Sequence, residues 1–131
     1  MKNNLIIALI LGAAFVSCDP AQTIELENKL DTDSTVKFYF TGGEHYKFDG
    51  FLTKDSLILK LAPGEKRIFD FGIGTWEIHN SLDSLTTHIN RIEIETEKST
   101  ETFVDDHQVK LFFQDRLAND RYKAKIIIEI N

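Results

Sequence analysis

One cysteine in 131 residues has no second sulfur to meet, which excludes a disulfide framework within the chain and any zinc site built on several thiolates. Basic residues are also in short supply: 15 Lys and Arg stand against 21 Asp and Glu, a formal net charge of -6. A nucleic-acid surface needs clustered cations to displace counterions, so no nucleic acid is expected as a partner. The four histidines, His45, His79, His88 and His107, include no pair at helical i, i+4 spacing, and no short-range set of metal ligands accompanies them. There is no Gly-x-Ser-x-Gly elbow, and the serines lie in polar stretches without an adjacent histidine. No catalytic residue, metal or cofactor is therefore expected. What the chain does have is 42% apolar and 27% charged residues, the balance of one folded domain rather than of a disordered chain.

The N-terminal segment is the most informative part. Met1-Lys2-Asn3-Asn4 is a short positive start, and the twelve residues from Leu5 to Val16 are all apolar or glycine. This is the pattern of a secretory signal, too short for the ~20 residues of a membrane-spanning helix. Phe15-Val16-Ser17-Cys18 follows at once and resembles the lipobox of bacterial lipoproteins, with small Ser17 before the cysteine and Phe15 where Leu is more usual. The resemblance implies removal of residues 1–17, a diacylglycerol thioether on Cys18, and a further acyl chain such as palmitate on the new amine. Two other readings stay open: cleavage after Ala13 or Ala14 with Cys18 a free thiol, or an uncleaved anchor. One acyl chain binds membranes marginally, whereas two or three hold a protein in place at roughly 0.8 kcal/mol per buried methylene. The outer membrane is the expected destination, although Asp19 directly after the lipidated cysteine retains such proteins in the inner membrane of some bacteria.

Loss of residues 1–17 removes Lys2 and no acid, leaving 14 basic and 21 acidic side chains, net -7. Such a domain is expected to be pushed away from anionic lipid rather than laid upon it. Residues 18–22 read as the lipidated end and a short tether, and 23–131 as a single β-rich domain.

From Thr23 onward the dominant period is two. Ile24 and Leu26, then Val36, Phe38 and Phe40, then Ile92 and Ile94 each alternate with polar residues, the pattern of half-buried strands. Leu57, Leu59 and Leu61 precede Ala62-Pro63-Gly64-Glu65, and Ile68 to Phe71 follow it. Pro and Gly at the central positions predict a type II turn, read as the centre of a hairpin. Gly72 and Gly74 lead to Trp76 and Ile78, and Ile126 to Ile128 suggest a final strand buried on both faces. Val109, Phe112, Phe113 and Leu117 fall at helical spacing behind an Asp105/Gln108 capping arrangement. A helix over 106–118 docking its Phe face on a sheet is expected, with a strand through Val109 to Phe113 as the competing reading. The expected fold is mainly β: an antiparallel sandwich of seven to nine strands, immunoglobulin-like or similar, with one short helix.

Candidate sites are few. Asp31-Thr32-Asp33-Ser34-Thr35 opens like a calcium loop, but Val36 stands where Gly is needed and Gly42 where a bidentate Glu is needed, so it reads as a polar hairpin turn. His107 beside Asp105 and Asp106 reads as a helix N-terminus. Trp76 reads as core. The stretch from Gly42 to Phe51 mixes glycine with aromatic and charged residues, and His45, Tyr46 and Phe48 mark it as a candidate binding loop, against a core-packed strand. Asp33-Ser34-Thr35, Asp55-Ser56-Leu57 and Asp83-Ser84-Leu85 resemble a short O-glycosylation sequon of exported proteins in some bacteria. Ser34, Ser56 and Ser84 are thus candidate glycan sites, each of which must then lie on the surface.

The expected function is that of a lipid-anchored cell-envelope protein, not an enzyme, whose β-sandwich serves binding or assembly through envelope protein or glycan contacts. The alternatives are a carboxylate-dependent hydrolase or accessory enzyme, and a purely structural envelope component.

Overall fold

The computed structural model describes residues 19–41, 52–53 and 55–131; Cys18, and the stretch holding His45, Tyr46 and Phe48, lie outside them. Among the described residues, eight strands and two helices follow one another. They are β1 (Ala21–Asn28), β2 (Ser34–Phe40), β3 (Leu52–Thr53), β4 (Ser56–Leu61), β5 (Lys66–Ile73), α1 (Ser81–Thr86), β6 (Ile89–Glu95), β7 (Thr100–Val104), α2 (Asp105–Gln114) and β8 (Lys125–Ile130). They build a β-sandwich of two sheets, one of five strands in the order β3-β4-β2-β6-β7 and one of three in the order β5-β1-β8.

The alternation in the sequence decides which side of each strand faces inward. Val36, Phe38 and Phe40 of β2, Leu57, Leu59 and Leu61 of β4, and Ile92 and Ile94 of β6 are buried on one face of the larger sheet. Ile24 and Leu26 of β1, Phe69 and Phe71 of β5, and Ile126, Ile128 and Ile130 of β8 join them from the smaller sheet in a single cluster. The Phe face of α2 closes the rest: Val109, Phe112 and Phe113 are buried, and Phe113 stacks on Phe38 with ring centroids 6.4 Å apart. The helical reading of this segment holds, and the strand through Val109 to Phe113 does not.

Several expectations are corrected. The Ala62–Glu65 turn has the anticipated type II features: Glu65 N–H donates to Ala62 O at 3.0 Å and Gly64 takes φ +72°. Its arms nevertheless do not form a hairpin. β4 pairs with β2 and β3, β5 pairs with β1, and the turn carries the chain from one sheet to the other. Asp31–Thr35 likewise lies on a crossing between sheets, from β1 to β2, not in a hairpin. The sandwich is not wholly antiparallel, because β1 and β8 run parallel from Thr23 beside Lys125 to Asn28 beside Ile130. The last strand is buried mainly on one face, with Ile126 and Ile128 inside and Ile127 only half-buried.

Helix α2 begins at Asp105, where Gln108 N–H donates to Asp105 Oδ1 at 2.9 Å and Gln108 Oε1 accepts from Val104 N–H at 3.0 Å. It ends at Gln114, short of the expected 118, because the next residues are recruited by β8. Leu117 bridges Ile126, Ala118 N–H donates to Lys125 O, and Ile127 N–H donates to Arg116 O. Trp76 and Ile78 lie outside any strand, and the short helix α1, held by buried Leu82 and Leu85, follows them. Strand β1 starts at Ala21, and the Gln22 side-chain amide donates to Thr75 O at 2.9 Å.

Candidate binding surface

The register of the larger sheet sets its outward side chains in three rows. Lys60, Thr35, Glu95 and Thr100 form one, Ile58, Lys37, Glu93 and Thr102 the next, and Ser56, Tyr39, Arg91 and Val104 the third. Cross-strand neighbours on one face lie about 5 Å apart, close enough for charged and aromatic side chains to couple.

They do couple. The Lys37 ammonium pairs with Glu95 and, at 3.8 Å, with Glu93; Tyr39 O–H donates to Glu93 Oε2 at 3.0 Å; and Arg91 Nε lies 3.2 Å from Glu93 Oε1. The Glu95 carboxylate, ahead of the other contacts, holds the Lys37 ammonium above the ordinary lysine range. The Arg91 guanidinium lies over the Tyr39 ring, 4.0 Å from its centroid, as cation–π attraction favours. Beside this pair opens a cleft of about 450 Å³ lined by Tyr39, Phe40, Asp55, Asn90, Arg91 and Val104. Planar donors, an amide and a carboxylate around an aromatic ring suit a polar partner presenting hydroxyls or peptide groups.

The outward face of the smaller sheet is a different kind of surface. Glu25, only 5% exposed, stands at its centre, 2.6 Å from Lys66 Nζ and 3.2 Å from Lys125 Nζ. The hydrogen bond from Lys66, then that from Lys125, holds the Glu25 carboxyl below the ordinary value near 4.5 against the opposing effect of burial. A carboxyl held down in the fold adds stability at pH above its unfolded value, and that addition disappears as pH falls through the folded value. Wild type is therefore expected to exceed Glu25→Gln in urea midpoint at pH 7, with the gap closing as pH drops below about 4.5. A gap that persists unchanged to pH 3 would contradict this.

At the far end of the sandwich, Arg116 packs its guanidinium 3.9 Å from the Phe112 ring centroid and donates to Phe112 O at 2.9 Å. Burial pushes its guanidinium pKa below the ordinary arginine value. Its roles in this geometry are to close the C-terminal turn of α2 and to cover Phe112.

The remaining residues singled out from the sequence fall in unlike places. Trp76 is core, 2% exposed, with Nε1–H donating to Thr23 O at 3.0 Å and an edge-on contact to Phe71. Ser34 is 2% exposed, so the surface position a glycan requires is not met there; Ser56 is half-buried within β4, and Ser84 is exposed on α1. His107 is exposed in the first turn of α2, behind Asp105 and Asp106. No group of three metal-ligating side chains occurs among the described residues. Tyr39 and Arg91 were not legible as a pair, because each is simply an outward residue of its own alternation and only strand register brings them together. Comparison with protein families, with curated proteins and with solved structures gives no match.

Proposed function

We propose that the protein is a lipid-anchored lipoprotein of the bacterial cell envelope, attached through Cys18, whose sandwich is a binding or assembly module using the outward face of the larger sheet. The observation that carries the binding half is the Arg91–Tyr39 pair beside its open cleft, a concentration of recognition groups on a surface otherwise occupied by ion pairs. The anchor half rests on the lipobox-like Phe15-Val16-Ser17-Cys18, three residues ahead of the first residue of β1. The partner is an envelope protein or a glycan, and the destination is the outer membrane.

A hydrolase would need a carboxyl held protonated to act as general acid. The described carboxyls with displaced pKa values, Glu25 and Glu65, are both displaced downward, Glu65 by the Ala62 N–H and then by Arg67. That is the direction of structural ion pairs, not of a general acid.

One fractionation experiment with affinity capture from native envelopes tests both halves. Wild type is expected in the membrane fraction with a reproducible partner, Cys18→Ala in the soluble fraction, and Arg91→Glu in the membrane fraction without that partner. Retention of Cys18→Ala in the membrane would sink the anchor, and undiminished capture by Arg91→Glu would sink the binding face.

A further inference from the structure

We propose that the end of the sandwich at which β1 begins, with Ile73, Ile78, Tyr122, Arg121 and Lys123 at its rim, sits within the headgroup layer of the membrane that holds the Cys18 lipid. This rests on the lipidation reading above. It adds an orientation and a second, non-covalent contact with the bilayer.

Reach is the first argument. Pro20 is fixed to the fold, since its carbonyl accepts from Gly74 N–H at 3.0 Å, and Ala21 already pairs with Ile73. Two residues from Cys18 to Pro20 span at most about 7 Å. The headgroup layer on each side of the hydrocarbon is itself about 5–7 Å deep. A lipid on Cys18 therefore cannot let this end of the domain rise clear of the headgroups.

Composition is the second. Seven large apolar side chains are notably exposed among the described residues, and three of them gather here: Ile73 at 75%, Tyr122 at 50% and Ile78 at 37%. Ile78 and Tyr122 share a cleft with Arg121 and Lys123, and Trp76 N–H donates to Lys123 O at 2.9 Å, which ties the two segments together. An aromatic ring with a polar tip, aliphatic side chains and cations are the groups that favour a membrane interface.

The net charge of -7 would argue the other way if it acted from one point. It does not. Around the exit, Arg121 and Lys123 stand near Asp19, Asp70, Glu77 and Asp120, while Lys125 is paired with Glu25; Asp70 is engaged by Gly72 N–H and Asp120 by the Tyr122 and Lys123 N–H groups. The eight residues of β1 carry the chain about 26 Å to the opposite end, where Asp31 and Glu97 line a common cleft. That distance is three times the screening length of about 8 Å at physiological salt, so those acids are invisible to the bilayer. The contact at the exit is therefore made by apolar side chains and by Arg121 and Lys123, with the nearby carboxylates Asp70 and Asp120 turned to backbone N–H groups.

The test uses the full lipidated protein in vesicles of phosphatidylethanolamine with a minority of phosphatidylglycerol. Lipidation leaves no free thiol, so a nitroxide can be placed at Tyr122→Cys, at Ile78→Cys, or at Lys98→Cys at the far end. Labels at Tyr122 and Ile78 are expected to collide several-fold less with a water-soluble nickel chelate, and more with oxygen, than the label at Lys98. Intact-mass measurement of the same samples reports the lipid on Cys18. Lipid present with equal chelate access at all three positions overturns the seating and leaves the anchor standing, whereas no lipid mass on Cys18 removes both.

Discussion

Phe113→Ala is expected to cost about 3–5 kcal/mol of unfolding free energy, seen as a fall in urea midpoint with little change in slope. Phe113 is fully buried and joins three elements: it stacks on Phe38 of β2 and meets Phe112 edge-on at 5.3 Å, while Phe112 in turn lies 4.6 Å from Phe103 of β7. Truncation loses the transfer energy of the ring and leaves a cavity between helix and sheet that neither rigid wall can fill. The ten residues of α2 are too few to persist as a helix without this contact. Against a typical domain stability of roughly 5–15 kcal/mol, the loss is a large fraction. Leu111→Ala on the same helix, at a residue 42% exposed, is the control and should change stability by less than about 1 kcal/mol.

Asn28→Ala is the polar counterpart and is expected to cost about 3 kcal/mol, although it removes only a few atoms. Asn28 is wholly buried at the end of β1, where the chain crosses between sheets. Its Nδ2 donates to Thr32 O at 2.8 Å, Leu61 O at 3.0 Å and Ala62 O at 3.2 Å, and its Oδ1 accepts from Leu30 N–H at 3.1 Å. Its backbone adds two more bonds, donating to Glu65 O and accepting from Gly64 N–H. Alanine leaves several backbone groups without their partner, and each such buried group costs about 1–3 kcal/mol. Asn28→Asp separates the hydrogen bonds from the volume: a carboxylate keeps the shape but faces carbonyls with nothing to donate. Thermal melts should therefore place Asn28→Asp near Asn28→Ala at pH 7 and closer to wild type at pH 4, where a protonated carboxyl can donate once. Equal melting of Asn28→Asp and wild type at pH 7 would show that the amide donors matter little.

The same residue explains why Pro63-Gly64 turns the chain without closing a hairpin. Pro63-Gly64 specifies a chain reversal and its φ values, and both are present, but turn chemistry says nothing about which partner each arm will take. Asn28 wedges between the arms, and β4 and β5 diverge into different sheets around it. The inward faces of β1, β2, β4 and β6 were legible because period two and burial are the same fact seen twice. The core role of α2 was legible from Val109, Phe112 and Phe113, but its end was not, since β8 captures Arg116 to Ala118 through long-range backbone bonds. Helix α1 escaped because two leucines three residues apart are too little periodicity to distinguish six residues of helix from a loop. The parallel pairing of β1 with β8 depends on bringing residues about a hundred positions apart together, and no local pattern encodes that.

That pairing bears on how the molecule carries load. β1 lies between β5 and β8, and its six parallel pairs with β8 run from Thr23 to Asn28. Tension applied between an anchored N-terminal end and the C-terminal end of β8 pulls these two strands lengthwise past each other. All six pairs then resist together in shear, instead of parting one after another as they would if peeled. A load along that line would meet a mechanical clamp where β1 and β8 run side by side.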